Sequence, residues 1–505
     1  MSFLGIDLGT SGVKCVAYNL YGKPLSKTYR EYSLDTPQPG IAELNPDIVW
    51  SNLKQNIIEL NASAEIKKDP ITALSISVSG DEILPIDRSG KVLFGTIMSM
   101  DKRGEIENEI LNKSIGAEKI FKITGMPPDN IYGLNRILWF KTNRPDIYEK
   151  TWKFLCWEDF VFYRLGIEPS TDYSVACRTL AFDINKNIWS KDILKAADVS
   201  EDLFPKAYLS GTHVGDIPKT ILGDLGFKNR VKVITGGFDQ CCAALGAGLT
   251  GEGMVSIGTG TMEVMHVCFK KPFFEKKMMD EGYSFNTHVL KNLYICLSLN
   301  FNGGIIFKWY RDNLGFEEKL NAKETGKEVY DLIMDSALNS NFPVLFLPYF
   351  EGAQTPRRNP KATGTILGLT LRTKKEDIVR GLMEGITFDL RLNLEKIEES
   401  GIKIDMIRAT GGGSRSETWL QFKANILGKT IQKIDIDEAG CLSAAVLAGT
   451  GAGELSSIQD TINSWVKIKK EYKPDLRKKG EYEERYKKFL QAYDKVKDLS
   501  LLTYL

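Results

Sequence analysis

Residues 7–14 read Asp7-Leu8-Gly9-Thr10-Ser11-Gly12-Val13-Lys14, between the apolar run Phe3-Leu4-Gly5-Ile6 and the run Cys15-Val16-Ala17-Tyr18. Apolar segments on either side of a glycine-bearing turn predict strand, turn, strand. A plain hairpin accounts for the two glycines. It does not account for an acid, two hydroxyls and a lysine in the same few residues. Glycines in such a turn bare backbone N–H groups and let a phosphate approach closely. Thr10 and Ser11 add hydroxyl donors and Lys14 adds positive charge. Asp7, at the strand end, can hold a magnesium ion through water, because Mg²⁺ keeps most of its hydration shell. Alone, the stretch reads equally well as a hairpin turn.

A second stretch of the same kind changes the balance. The apolar strand Val231-Lys232-Val233-Ile234-Thr235 runs into Gly236-Gly237-Phe238-Asp239, and a helix of small residues is predicted from Gln240 to Gly248. Then comes Ser256-Ile257-Gly258-Thr259-Gly260-Thr261-Met262-Glu263-Val264, again strand, Gly-Thr turn, strand. One device used twice predicts two related domains facing each other, with a boundary near residue 247. Two phosphate-binding turns on opposing domains would clamp a nucleoside triphosphate between them.

The bulk numbers agree with a large two-domain chain. It has 505 residues, 43% hydrophobic and 26% charged, ordinary for a globular protein with a sizeable core. The net charge of +1 gives no global field for nucleic acid or an anionic membrane. Eight cysteines form no Cys-x-x-Cys pair and no cysteine–histidine cluster with zinc spacing. They read as buried thiols in a reducing compartment. There is no basic leader and no run of about 18 apolar residues, so neither a signal peptide nor a membrane span is expected, and the expected compartment is the cytoplasm.

Elsewhere the pattern predicts helices at 46–65, 103–111, 133–143, 145–148 and 153–164, and a buried strand at 71–78. Further helices are expected at 304–313, 328–338, 376–400, 418–427 and 440–449, with strands at 344–347 and 406–409. The tail, 468–499, is charged with tyrosines at helical spacing. It reads as solvated helices packed on the body, not as a nucleic-acid arm, because acids and bases are interleaved. Trp152, Trp157 and Trp189 read as core.

Several residues have a chemical reading beside a bland one. Asp239 follows a strand and two glycines at a helix start, where a carboxylate can accept a proton from a hydroxyl attacking phosphorus, or can simply cap the helix. Gly411-Gly412-Gly413-Ser414 lets a flat ring lie against backbone, or makes a tight loop. Gly303-Gly304 before Ile305-Ile306-Phe307-Lys308 is open in the same way. Asp81 and Glu82 end a strand, where ligands bind in α/β sheets and where a polyol finds acceptors; they also suit an exposed acidic turn. Gly246-Ala247-Gly248-Leu249-Thr250-Gly251 follows a helix and reads as a helix terminus, not a dinucleotide fingerprint. His213, His266 and His288 show no useful spacing and receive no chemistry.

Taken in order, residues 5–14, 236–248, 256–264, 301–312, 348–370, 411–431 and 438–454 resemble the FGGY family of carbohydrate kinases across nearly the whole chain. The resemblance implies an α/β protein of two RNase H-like domains, of the actin, hexokinase and chaperone ATPase type, with a cleft between them. Residues 1–246 would bind sugar, and residues 247–505 would bind nucleotide and end in a helical tail. The implied activity is ATP-dependent transfer of the γ-phosphoryl group to a hydroxyl of a small carbohydrate, with ATP and Mg²⁺.

By residue match, Asp239 would be the general base and Asp7 would help place magnesium. Thr10, Ser11 and Lys14 would approach the γ-phosphate, and Gly258, Thr259, Gly260 and Thr261 would cradle the phosphates. Gly304, Lys308, Gly412 and Gly413 would line the nucleotide site. Asp81, Glu82 and Gln240, with Asp239, would face the sugar.

Two features depart from the family pattern. Arg136 stands where the family usually has lysine, which keeps charge but not geometry. Residues 79–87 lack both the Met-His-Gly of typical xylulose kinases and the Arg-Glu of typical glycerol kinases. A pentulose such as xylulose is the first expectation for the acceptor; gluconate, glycerol or another polyol are the alternatives. A rival of another class is an actin- or chaperone-like ATPase that phosphorylates no metabolite. The partners expected are a small sugar or polyol, and a second copy in a homodimer, with no nucleic acid and no membrane.

Overall fold

The computed structural model describes residues 1–340 and 343–499, which build two mixed sheets flanked by helices. The first sheet takes strands β1 (Ser2–Leu8), β2 (Gly12–Asn19), β3 (Pro24–Glu31), β4 (Ile71–Val78), β5 (His213–Asp216), β6 (Lys232–Ile234) and β7 (Gly237–Phe238). Their order is β5-β6-β4-β1-β2-β3, and β7 also pairs with β4. The second takes β8 (Val255–Thr259), β9 (Glu263–Phe269), β10 (Ser284–Thr287), β11 (Tyr294–Asn300), β12 (Met406–Thr410), β13 (Thr430–Ile434) and β14 (Ile468–Tyr472), in the order β10-β11-β9-β8-β12-β13-β14.

The two sheets repeat one plan. In the first, β1-β2-β3 is an antiparallel meander, β4 and β6 run parallel beyond β1, and β5 closes the edge antiparallel. In the second, β8-β9-β11 is the meander, β12 and β13 run parallel beyond β8, and β14 closes the edge antiparallel. The strand-turn-strand stretches that opened the sequence reading are the first hairpins of the two meanders.

The principal helices are α1 (Pro46–Ala62), α2 (Gly133–Asn143), α3 (Asp239–Gly246), α4 (Gly304–Asn313), α5 (Val329–Ser336), α6 (Lys375–Glu398), α7 (Glu417–Leu427), α8 (Ala439–Gly451) and α9 (Lys479–Val496). Central strands covered on both faces read as continuous apolar runs. In β1, Phe3, Leu4, Ile6 and Leu8 are all fully buried.

Small residues let the halves interlock. A Cβ on Gly5 of β1 would lie 1.8 Å from the Cys441 carbonyl oxygen of α8, and one on Gly246 of α3 would lie 2.2 Å from that of Ala439. Helices α3 and α8 therefore cross at close range, and α8 lies against β1 of the first sheet.

Two expected elements differ. The segment 153–164 divides into a strand, Lys153–Leu155, and a helix, Trp157–Arg164, because the Asp159 carboxylate accepts the Cys156 N–H at 2.8 Å and starts the helix there. The tail is not all helix: Ile468–Tyr472 is the edge strand β14, and only 479–496 is a long helix. Its tyrosines at helical spacing pack on the body, as expected. Tyr482, Tyr486 and Tyr493 are buried with Phe489 against α6, because their spacing puts them on one face. Trp157 and Trp189 are core, whereas Trp152 is half-buried. All eight cysteines are buried and free. Among the described residues no helix is long and apolar enough to cross a membrane.

Candidate active site

Parallel strands bring their carboxyl ends to one edge, and in the first sheet that edge is acidic. Asp7 lies near the end of β1, opposite Ser77 of β4, whose hydroxyl donates to Asp7 Oδ1 at 2.7 Å. Asp81 and Glu82 follow β4, and Asp239 follows β7. Burial pushes the Asp7 carboxyl up from its ordinary value, partly offset by the Ser77 hydrogen bond and the charge of Lys14. Lys14 is itself engaged, with its Nζ 2.5 Å from Glu438 beside the start of α8.

Asp239 is delivered by a closely packed entry. A Cβ on Gly236 would lie 1.7 Å from the Ile76 carbonyl oxygen, so β7 can lie against β4 only with glycine there. The Phe238 N–H donates to Ser174 Oγ at 2.9 Å, which fixes the turn into α3. Asp239 is the first residue of α3, with Phe238 in the capping position and no side-chain cap. The capping alternative for this acid is therefore removed. Its side chain is half-buried, and its carboxyl is pushed up to about 8, first by desolvation and then by the charges of Asp7 and Glu82. A hydrogen bond from Gln240 Nε2 at 3.1 Å pulls the other way.

Asp81 is not a free acid. Arg178 grips it with Nε to Oδ1 at 2.8 Å and Nη2 to Oδ2 at 3.0 Å. The guanidinium carbon of Arg178 lies 5.0 Å from the centre of the Tyr132 ring and 4.7 Å from that of Phe238. Arg136 of α2 is wholly buried and donates to the carbonyls of Asp81, Ile131, Met98 and Ser99. Those four acceptors use the planar fork that a lysine lacks. Glu82 is 1% exposed, and among the described residues neither carboxylate oxygen has a hydrogen-bond partner. The Glu82 backbone N–H and then the Ser79 hydroxyl favour the anion from nearby, but outside hydrogen-bond geometry. Desolvation, then the charge of Asp81, pushes Glu82 up to about 7.

In the second half a cavity of about 460 Å³ opens beside the β8–β9 turn, a volume in the small-ligand range. Thr259, Gly260, Thr261, Gly304, Lys308, Gly412 and Gly413, all expected at a nucleotide site, line it. Phe307, Met334 and Trp419 supply an apolar wall. Glycines make this possible. Gly304 N–H donates to the Gly260 carbonyl at 3.0 Å, and a Cβ on Gly304 would lie 2.3 Å from that oxygen. Gly411, at φ +78°, and Gly413 both press on Thr259. Gly258 sits one step back in β8, paired with Val264 and Thr410, and does not line the cavity. Thr10, Ser11, Lys14, Asp7 and Asp239 belong to the first half and lie outside that lining.

Three side chains at the site escaped the sequence reading. Arg178 is one. Lys423 of α7 is the second: it is 2% exposed, ion-paired with Glu263, and donates to Thr259 Oγ1 at 2.8 Å beneath the turn. His266, given no chemistry from its spacing, is the third. Its Nε2 lies 3.1 Å from Gln240 Oε1 and its Nδ1 lies 3.1 Å from Ser256 Oγ. All three are seen only through partners distant in sequence.

Among the described residues no three His, Cys, Asp or Glu side chains form a ready metal cage. Mg²⁺ needs less: one or two carboxylates, with phosphate oxygens and water completing six ligands. Asp7 fits that demand: it stands at the carboxyl edge of the first sheet, and burial leaves its carboxyl raised, a cost that a hard dication relieves.

A two-sheet α/β protein with a nucleotide-sized cavity on one half and an acid-lined strand edge on the other has the form of a phosphotransferase. The model of the FGGY family of carbohydrate kinases, N-terminal domain, matches residues 2–246, and that of the C-terminal domain matches residues 253–452. The chain belongs to the FGGY family of carbohydrate kinases, and it is an ATP-dependent carbohydrate kinase. It is 26% identical over 499 residues to a xylulose kinase of Bacillus subtilis, covering 98% of this chain and 97% of the relative. It is 27% identical over 468 residues to a gluconokinase of the same organism, covering 91% and 90%. Its fold matches the crystal structure of a ligand-bound xylulose kinase from Lactobacillus acidophilus with a TM-score of 0.89, at 22% identity and 99% coverage of both chains.

Proposed function

We propose that the chain transfers the γ-phosphoryl group of ATP to a hydroxyl of an uncharged polyol, first a pentulose such as xylulose, with Asp239 as general base. The observation that carries this is the setting of Asp239: it begins a helix that it does not cap and is raised to about 8 among Asp7, Glu82 and Asp81. In its ionised form Asp239 accepts the proton of the acceptor hydroxyl while that oxygen bonds to the γ-phosphorus and the bond to the ADP oxygen breaks. Bound Mg²⁺, near Asp7, would neutralise charge on the phosphates. Thr10 and Ser11 from the first turn and Thr259, Gly260 and Thr261 from the second would hold the phosphate chain. The chain's own contribution is positioning and electrostatics.

The preference for an uncharged acceptor rests on the same edge. Its two arginines are committed, Arg178 to Asp81 and Arg136 to backbone carbonyls, while Glu82 has no partner among the described residues. Hydroxyl donors satisfy such acceptors; the carboxylate of an aldonate such as gluconate would meet repulsion. We further propose that residues 1–246 form the sugar-binding domain and 247–505 the nucleotide-binding domain. The strand order repeated in the two sheets supports reading both as RNase H-like.

ADP release measured with MgATP and a panel of pentuloses, glycerol, other polyols and gluconate tests the reading, with the product identified by mass. Strong stimulation by a neutral polyol and a product heavier by one phosphoryl group is expected. Stimulation by gluconate alone would overturn the acceptor class, and ATP turnover indifferent to every sugar would favour an ATPase.

A further inference from the structure

The Asp239 carboxylate stands at one end of a hydrogen-bonded row that reaches the phosphate-turn hairpin. Gln240 Nε2 donates to Asp239 Oδ1 at 3.1 Å, Gln240 Oε1 lies 3.1 Å from His266 Nε2, and His266 Nδ1 lies 3.1 Å from Ser256 Oγ. Ser256 is on β8 and His266 on β9, directly paired across the hairpin whose turn lines the nucleotide cavity. Both are buried, at 1% and 3% exposure. Gln240 lies in the segment matched as the N-terminal domain and His266 in that matched as the C-terminal one, so the row crosses between the halves.

Chemistry fixes its direction. In the ionised form that acts as base, the Asp239 carboxylate only accepts, so Gln240 turns its NH₂ toward Asp239 and its oxygen toward His266. That oxygen needs a donor. Burial holds His266 neutral, with its pKa lowered to about 3, so the imidazole carries one N–H. The N–H therefore sits on Nε2, and Nδ1 accepts the Ser256 hydroxyl hydrogen.

We infer that His266 is a positioning residue for catalysis: through Nε2–H it locks the Gln240 amide with its NH₂ on Asp239, so the hairpin that carries the phosphate turn also sets the base. Without that N–H the amide is free to flip and to present its oxygen to the carboxylate, which repels the anion. The inference rests on the reading of Asp239 as the base.

Asp239 is faced by Asp7 from β1, by Asp81 and Glu82 from the segment after β4, and by Arg178. The acids oppose its ionisation, while the charge of Arg178 and the hydrogen bond from Gln240 favour it. His266 is itself faced by His288, whose charge would oppose protonation of the ring. Losing the Gln240 donor therefore moves Asp239 further up.

The test compares His266→Leu, His266→Gln and His266→Asn by steady-state kinetics across pH, with Asp239→Asn beside them. Glutamine carries an N–H to about the position of Nε2; asparagine is too short to reach Gln240. Expected are a fall in kcat of about tenfold in the Leu and Asn variants, with the nucleotide KM within about twofold, and an acidic limb of kcat/KM displaced to higher pH. His266→Gln should recover most of kcat and restore the limb. An Asn or Leu variant with the wild-type limb, or a Gln variant as impaired as Asn, would overturn the inference. If His266→Leu fails to fold, the Gln and Asn pair decides alone. Near-normal turnover by Asp239→Asn would instead remove the base reading itself, a separate outcome.

Discussion

Arg178 holds Asp81 by two parallel hydrogen bonds, 2.8 and 3.0 Å long, between the rings of Tyr132 and Phe238. The pair turns one of the four acids at the acceptor edge into a fixed acceptor. The side chains are 5% and 13% exposed, so little water screens them. Arg178→Met leaves a buried carboxylate unpaired and should lower unfolding stability by about 3–5 kcal/mol, read as a drop in the urea midpoint. Adding Asp81→Asn should return part of it. A single variant as stable as the parent would mean that water reaches Asp81.

Asp239→Asn should cut kcat by about 10²–10⁴-fold with nucleotide affinity little changed, measured by kinetics and nucleotide titration. Its pH behaviour has two signs. Activity should rise with pH as the base ionises near 8. Stability should fall over the same range: between the ordinary carboxylate pKa of about 4 and the folded value near 8, the folded chain holds a proton that the unfolded chain lacks. Asp239→Asn should flatten that decline in urea titrations at several pH values. Glu82, raised to about 7, adds a decline in the same direction that remains in the variant.

Lys423 and Glu263 form a buried pair against Thr259 of the phosphate turn. Lys423→Met strands the Glu263 carboxylate and should cost about 3–5 kcal/mol of stability. Because Lys423 also donates to Thr259, nucleotide affinity should weaken as well. The double variant Lys423→Met with Glu263→Leu should regain most of the stability but not the affinity, since the donor to Thr259 stays lost. Recovery of both would restrict this pair to a packing role.

Asp7→Asn keeps the size of the side chain and an acceptor for Ser77, but removes its charge. The Mg²⁺ concentration giving half-maximal activity should rise about tenfold or more, read at fixed ATP and saturating acceptor. An unchanged magnesium titration would remove Asp7 from the metal site.

Several features were legible because they are local. Apolar periodicity and turn glycines gave β1, β2, β8 and β9 and the repetition between them, since a strand-turn-strand is set by neighbours in sequence. The cavity lining from Thr259 to Gly413 was legible through the family resemblance, while its glycines alone left tight loops equally open. The Asp239 segment announced itself by two glycines ahead of an acid. By contrast, the tail misled, because the charged run Lys469-Lys470-Glu471 suits an edge strand and a solvated helix alike until β13 is there to pair with.

What the sequence determined by itself, then, was the doubled α/β plan and the glycine-bound stretches, whose physics is contained within a few residues. What only the tertiary structure decided was the company each charge keeps. Arg178 reaches Asp81 across 97 residues and Lys423 reaches Thr259 across 164. His266 meets Gln240 across 26, through a ladder that must first exist. Electrostatics and hydrogen bonding act through space, so the chain must close before an arginine, a lysine or an imidazole acquires its role.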